Sequence, residues 1–148
     1  MISEDHSNAR APLPRAAETD RALAEVARRH DVRLVIAFGS RAKGKVHPGS
    51  DLDLAVLVDR PADHREEDLG ADLQALFPDR IVDVVWLHRA DPLLAWEITR
   101  AGRLLYGERS EWTRYAIYAW RRFVDYMRFF DLEADAVERG VARLRHAR

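Results

Sequence analysis

The chain has 148 residues, 47% of them hydrophobic and 33% charged, with a formal net charge of −1 at pH 7 and no cysteine. That length suits one domain able to bury most of its unfolded surface without staples, and the missing cysteines remove disulfides and thiolate zinc sites. A near-neutral chain has no overall field to gather a nucleic-acid backbone. No apolar run approaches the ~20 residues of a membrane helix, and Glu4 and Asp5 stand where a secretory leader would be apolar, so a cytoplasmic protein with no membrane and no direct nucleic-acid partner is expected.

Residues 1–18 carry Pro12, Pro14 and scattered charge without periodicity, which predicts a mobile N-terminal tail. A core follows over residues 19–108. Thr19 or Asp20 can cap a first helix with Leu23, Val26, Ala27 and His30 at helical spacing, His30 serving as a cap or dipole partner. Val32–Phe38 reads as a strand that stops at Gly39-Ser40, and Arg41–Lys45 can begin a helix whose amides face that turn. Val46–Ser50 turns the chain back into a second strand, Leu52–Val58, so the two strands should pair antiparallel. Asp59-Arg60-Pro61 breaks that strand. Leu69, Leu73, Leu76 and Phe77 then mark a helix within residues 63–77, and Pro78-Asp79 ends it. Ile81–Leu87 reads as a third strand, Asp91-Pro92 starts a helix that Gly102 stops, and Leu104–Tyr106 can form a short edge strand.

The remaining segment, residues 109–148, has apolar residues at 112, 116, 119, 123, 127, 130, 134, 137, 141 and 144, close to a heptad seam. An unbroken helix to Arg145 would be about 54 Å long; a break near Asp131-Leu132 would instead give two helices folded back on the core. Trp112, Tyr115, Tyr118, Trp120, Phe123, Tyr126, Phe129 and Phe130 are more rings than one stripe against a small sheet needs, which predicts packing on the core together with an interface. The basic residues Arg139, Arg143, Arg145 and Arg148 complement a helix C-terminus.

Three carboxylates punctuate the apolar strands. Alternation places Asp51 and Asp53 on one side, about 6.5–7 Å apart at their Cα atoms, a spacing suited to holding a metal. A carboxylate within Leu, Ala and Val is costly to bury unless a cation meets it, and Mg²⁺ takes oxygen ligands of this kind. Asp83 interrupts an otherwise apolar run, Ile81-Val82-Asp83-Val84-Val85-Trp86-Leu87, and burying it alone would carry the same penalty, so the three aspartates are expected to share one cation-filled cleft. Gly39 permits close backbone approach, Ser40 offers a hydroxyl, and an anion fits the turn they form; a Walker loop is absent.

Gly39-Ser40, ten residues, Asp51-Leu52-Asp53 and a later Asp83 resemble the signature of the nucleotidyltransferase superfamily that includes DNA polymerase beta and kanamycin nucleotidyltransferase. Gly39–Gly44 and Ser50–Leu54 further resemble the minimal nucleotidyltransferases of bacteria and archaea. The aromatic C-terminal helix and Gly102-Arg103-Leu104-Leu105-Tyr106 are similar to the antitoxins paired with HEPN-domain ribonuclease toxins, over residues ~20–132. The resemblance implies an α/β (α+β) fold, a small mixed sheet of three to four strands flanked by helices. It implies transfer of AMP from ATP to a tyrosine hydroxyl of the toxin with two Mg²⁺ ions. Asp51 and Asp53 would bridge the metals, Asp83 would hold the catalytic metal and act as general base, and Gly39 and Ser40 would hold the β- and γ-phosphates, with Arg41 and Ser50 beside the nucleotide. The partner would dock along residues 112–130, within an oligomeric toxin–antitoxin complex.

Two other readings keep the same residues. An aminoglycoside-type enzyme would share the triad but needs a second domain or a dimer to wall the acceptor pocket. A non-catalytic antitoxin would neutralise by docking alone, leaving three inward carboxylates uncompensated.

Overall fold

The computed structural model describes residues 17–39, 51–63 and 65–146. Helix α1 (Ala17–Arg29) leads into strand β1 (Val32–Phe38), and after residues 40–50 the chain continues as β2 (Leu52–Val58). A 3-10 turn at Pro61–Asp63 precedes α2 (Glu66–Leu76). Then come β3 (Val82–Trp86), α3 (Pro92–Ala101), β4 (Arg103–Tyr106) and α4 (Arg109–His146). The strands form one mixed sheet in the order β3-β2-β1-β4, antiparallel except for the parallel β2–β3 pair. This is the expected α+β architecture.

Helices cover both faces because the strands alternate two apolar sets. Val35, Ala37, Leu54 and Val56 pack with Leu23, Val26, Leu69 and Leu73 on the α1–α2 side. Leu34, Ile36, Ala55 and Leu87 pack with Ala95, Ile98, Tyr115 and Ala119 on the α3–α4 side. A central strand buried on both faces reads as a continuous apolar run, which is the pattern of β1 and β2. A carboxylate on either is therefore conspicuous.

Several boundaries have visible causes. Asp91 caps α3 by accepting the Leu94 N–H at 2.9 Å, with Pro92 in the first turn, and Gly102 closes it through its N–H to the Ile98 carbonyl. Gly102 also lies where a Cβ would strike Ile36 and the Ile98 carbonyl. Helix α1 begins at Ala17, so Thr19 and Asp20 lie within its first turn and neither is the cap. His30 follows the helix and pairs with Asp72 of α2 at 2.7 Å, tying α1 to α2.

Helix α4 is unbroken for 38 residues, about 57 Å at the standard rise, so the expected alternative of a break near Asp131 is not realised. Its first four turns lie on the domain. Glu111 accepts from Arg33, the buried Tyr115 hydroxyl donates to the Leu87 carbonyl at 3.1 Å, Arg122 donates to the Ala90 carbonyl at 3.2 Å, and Phe123 stacks on Trp96 at 5.7 Å. Burial pushes the Tyr115 hydroxyl up to about 12, with Arg122 opposing and Tyr118 adding to the rise, so it stays a neutral donor. From Asp125 to Arg139 every residue is exposed. No helix among the described residues is long and apolar enough to cross a membrane.

Candidate active site

The three aspartates collect at one end of the sheet through strand register. Asp53 stands opposite Phe38 of β1 on one side and Asp83 of β3 on the other. Residues in register share a face, so the Asp53 and Asp83 carboxylates lie on the α3–α4 side, on strands about 4.8 Å apart. Asp51 sits just before β2, exposed at the same end. The β3 register is secured from α2. The Gln74 side chain donates to the Phe77 carbonyl at 3.2 Å and the Arg80 carbonyl at 2.6 Å, and accepts the Val82 N–H at 3.0 Å. Leu52 adds an N–H bond of 2.8 Å to the Ile81 carbonyl. Gln74 is a positioning residue that the sequence pattern did not single out. Its only signal was an amide next to Leu73 on an otherwise apolar stripe.

Gly39 closes the site from the end of β1. Its φ of +75° lies in the left-handed region, and a Cβ there would collide with the Asp53 carboxylate. Gly39 is thus required twice, for its backbone angle and for the space it leaves. In Gly39→Ala, the left-handed angle alone should cost about 1–2 kcal/mol. Displacement of Asp53 should lower any phosphoryl-transfer activity by more than the loss of folded protein explains. Urea unfolding and turnover measured on the same samples check this.

Among the described residues, no counter-charge meets these carboxylates. Asp51, Asp53 and Asp83 have no ion-pair or side-chain hydrogen-bond partner among the described residues. Burial, then the neighbouring charge of Asp83, then that of Asp51, hold the Asp53 carboxyl above its ordinary 3.8. Among the described residues no group of three His, Cys, Asp or Glu side chains stands close enough to hold a metal ion. The donors that Asp51, Asp53 and Asp83 offer are carboxylate oxygens, the kind a hard divalent cation takes.

One expectation is corrected. Asp83 is exposed on an edge strand rather than buried in core, because β3 has a neighbour only on the β2 side. The desolvation argument therefore applies to the half-buried Asp53 and not to Asp83. Asp83 belongs with Asp53 by register instead. Ser40, Arg41 and Ser50, with the anticipated helix start at Arg41–Lys45 and the loop Val46–Ser50, lie outside the described residues, as does the N-terminal tail through residue 16. A cavity of about 420 Å³ between β2, the β3–α3 turn and α4 opens at the opposite end of the sheet, lined by Arg33, Val58, Asp59, His88 and Tyr118 among others, and none of Asp51, Asp53 and Asp83 reaches it.

A glycine turn at the end of one strand thus faces aspartates at the same end of the sheet. The family described as Polymerase beta, Nucleotidyltransferase matches residues 21–111, and the chain belongs to that family. Among solved structures, a toxin–antitoxin complex with AMP-PNP contains a chain that overlays at TM-score 0.62 and 24% identity, covering 83% of this chain and 98% of that one. The toxin–antitoxin complex MntA–HepT overlays at TM-score 0.58 and 21% identity, over 86% and 99% of the two chains. A tri-AMPylated Shewanella oneidensis HEPN toxin in complex with MNT antitoxin gives TM-score 0.58 and 21% identity, over 85% and 98%. At these identities the likeness is one of fold. No curated protein matches the chain.

Proposed function

We propose that this chain is a Mg²⁺-dependent adenylyltransferase acting in the cytoplasm, which moves AMP from ATP to a tyrosine hydroxyl of a HEPN ribonuclease toxin and so serves as its antitoxin. The observation that carries the chemistry is the Asp53–Asp83 register behind Gly39. Family membership supports nucleotidyl transfer, and the neighbours in toxin–antitoxin complexes, one of them with an AMPylated toxin, support the acceptor class.

Each residue then has a task. Gly39 opens a close approach for the triphosphate, with Ser40 and, more peripherally, Arg41 and Ser50 completing its contacts. Asp51, Asp53 and Asp83 would hold two Mg²⁺ ions, which when bound supply charge neutralisation at the attacking and leaving oxygens. Asp83, on the open edge of the sheet, accepts the proton from the incoming hydroxyl. The oxygen forms a bond to the α-phosphorus in line with the departing pyrophosphate, and the partner keeps AMP as a phosphodiester. An edge strand suits this role because a macromolecular acceptor can reach it.

The test is a mass measurement. Incubated with ATP, Mg²⁺ and its partner HEPN toxin, the protein should add about 329 Da per AMP to the toxin, and Asp51→Ala should abolish the shift. A toxin fully neutralised yet unmodified would replace the enzymatic reading with docking. Adenylylation of small alcohols or aminoglycosides without any toxin would replace the acceptor.

A further inference from the structure

Helix α4 carries two apolar faces, and the domain covers one of them together with only the first residue of the other, Tyr115. Trp112, Ala119 and Phe123 form the seam against the sheet and α3, where Phe123 meets Trp96. A second face starts at the buried Tyr115 and runs outward through Tyr118, Tyr126 and Phe129. At 3.6 residues per turn these residues, with Arg122, project within about a quarter-turn of one another. Tyr118, Tyr126 and Phe129 are 51%, 36% and 57% exposed. Their rings are already ordered: Tyr115 lies 5.8 Å from Tyr118, the Arg122 guanidinium covers Tyr118 at 5.6 Å, and Phe130 contacts Tyr126 at 4.7 Å and Phe129 at 6.4 Å.

Two further features mark this face. The 420 Å³ cavity sits at its inner end, with Tyr115 and Tyr118 in its wall beside His88, whose buried Nδ1 has no hydrogen-bond partner among the described residues. Along one edge, Arg114, Arg121 and Arg128 recur every seven residues, all exposed. Arg114 shares Glu111 with Arg33, while Arg121 and Arg128 have no ion pair among the described residues. From Arg109 to Arg128 the helix carries five arginines, Arg109, Arg114, Arg121, Arg122 and Arg128, against two acids, Glu111 and Asp125.

We infer that this second face of α4 is the docking groove for an acidic amphipathic helix of the partner protein, laid along Tyr118, Tyr126 and Phe129 with one side chain in the cavity and carboxylates at seven-residue spacing against Arg114, Arg121 and Arg128. The identity of the partner rests on the proposed toxin–antitoxin reading; the choice of face and its charge do not. A heptad row of cations beside an aromatic stripe complements a helix bearing an acidic edge and an apolar stripe. The row steers association and fixes register, while the rings supply the buried contact.

The test uses the full-length chain, the purified helical toxin and ATP. Arg121→Glu combined with Arg128→Glu should weaken toxin binding by about 10-fold or more and flatten its salt dependence, and Tyr118→Ala should weaken it at any salt. AMP transfer at saturating toxin should persist, because none of these residues belongs to the aspartate site. Trp120→Ala lies on the other side of the helix and should bind normally. If the arginine and Tyr118 variants bind like the parent, whatever Trp120→Ala does, the inference is overturned and the antitoxin reading stands. If the parent neither binds nor modifies the toxin, both are overturned.

Discussion

In an Asp53→Asn variant, AMP transfer is expected to fall by about 10²-fold or more, while the metal-free protein unfolds at the same temperature as the parent or a higher one. The two effects have one origin. Asp53 is half-buried between Phe38 and Asp83, and its charge is opposed first by desolvation and then by Asp83 and Asp51. A carboxyl raised in the folded state binds its proton more tightly there than in the unfolded chain. The penalty is therefore absent below the ordinary 3.8, grows as pH rises towards the elevated folded value, and is fully present above it. Asparagine lacks that penalty and lacks the anionic oxygen a divalent cation needs. Scanning calorimetry at pH 7, with and without MgCl₂, separates the parts. Mg²⁺ should raise the melting temperature of the parent and leave Asp53→Asn unmoved. An equal Mg²⁺ response in both proteins would remove Asp53 from the ligand set.

Asp83→Asn should divide binding from chemistry. Asp83 lies on the exposed edge of the sheet, so the substitution leaves the core intact and the folded fraction unchanged. Asp53 and Asp51 stay in place on the neighbouring strand, as does the Gly39 turn, and much of the ATP affinity should survive. Transfer should fall by about 10²-fold or more with the loss of the proton acceptor. Calorimetric titration with ATP and Mg²⁺, set beside single-turnover transfer, checks this. Equal loss of both quantities would make Asp83 a nucleotide-metal ligand without a role in proton transfer.

The sequence by itself determined the local elements and their punctuation. The apolar runs of β1 and β2, the cap at Asp91, the stop at Gly102 and the glycine turn at Gly39 are written in neighbouring residues, because alternation, proline and left-handed glycine act over a few positions. It also placed Asp51 and Asp53 at one end of β2, since that spacing is a property of a single strand. What only the tertiary structure decided is which strands become neighbours. The parallel pairing of β3 with β2 sets Asp83 opposite Asp53, and β3's position at the sheet edge leaves Asp83 open to solvent. The apolar letters around Asp83 suggested burial, yet they serve only one covered side of an edge strand. In the same way, ten apolar positions marked one long seam, whereas the fold divides α4 after Val124: Trp112, Tyr115 and Ala119 pack on the domain, and the positions from Asp125 to Arg139 are exposed. Pairing partner, edge position and the face a helix presents depend on contacts between residues far apart in the chain, and local periodicity carries no record of them.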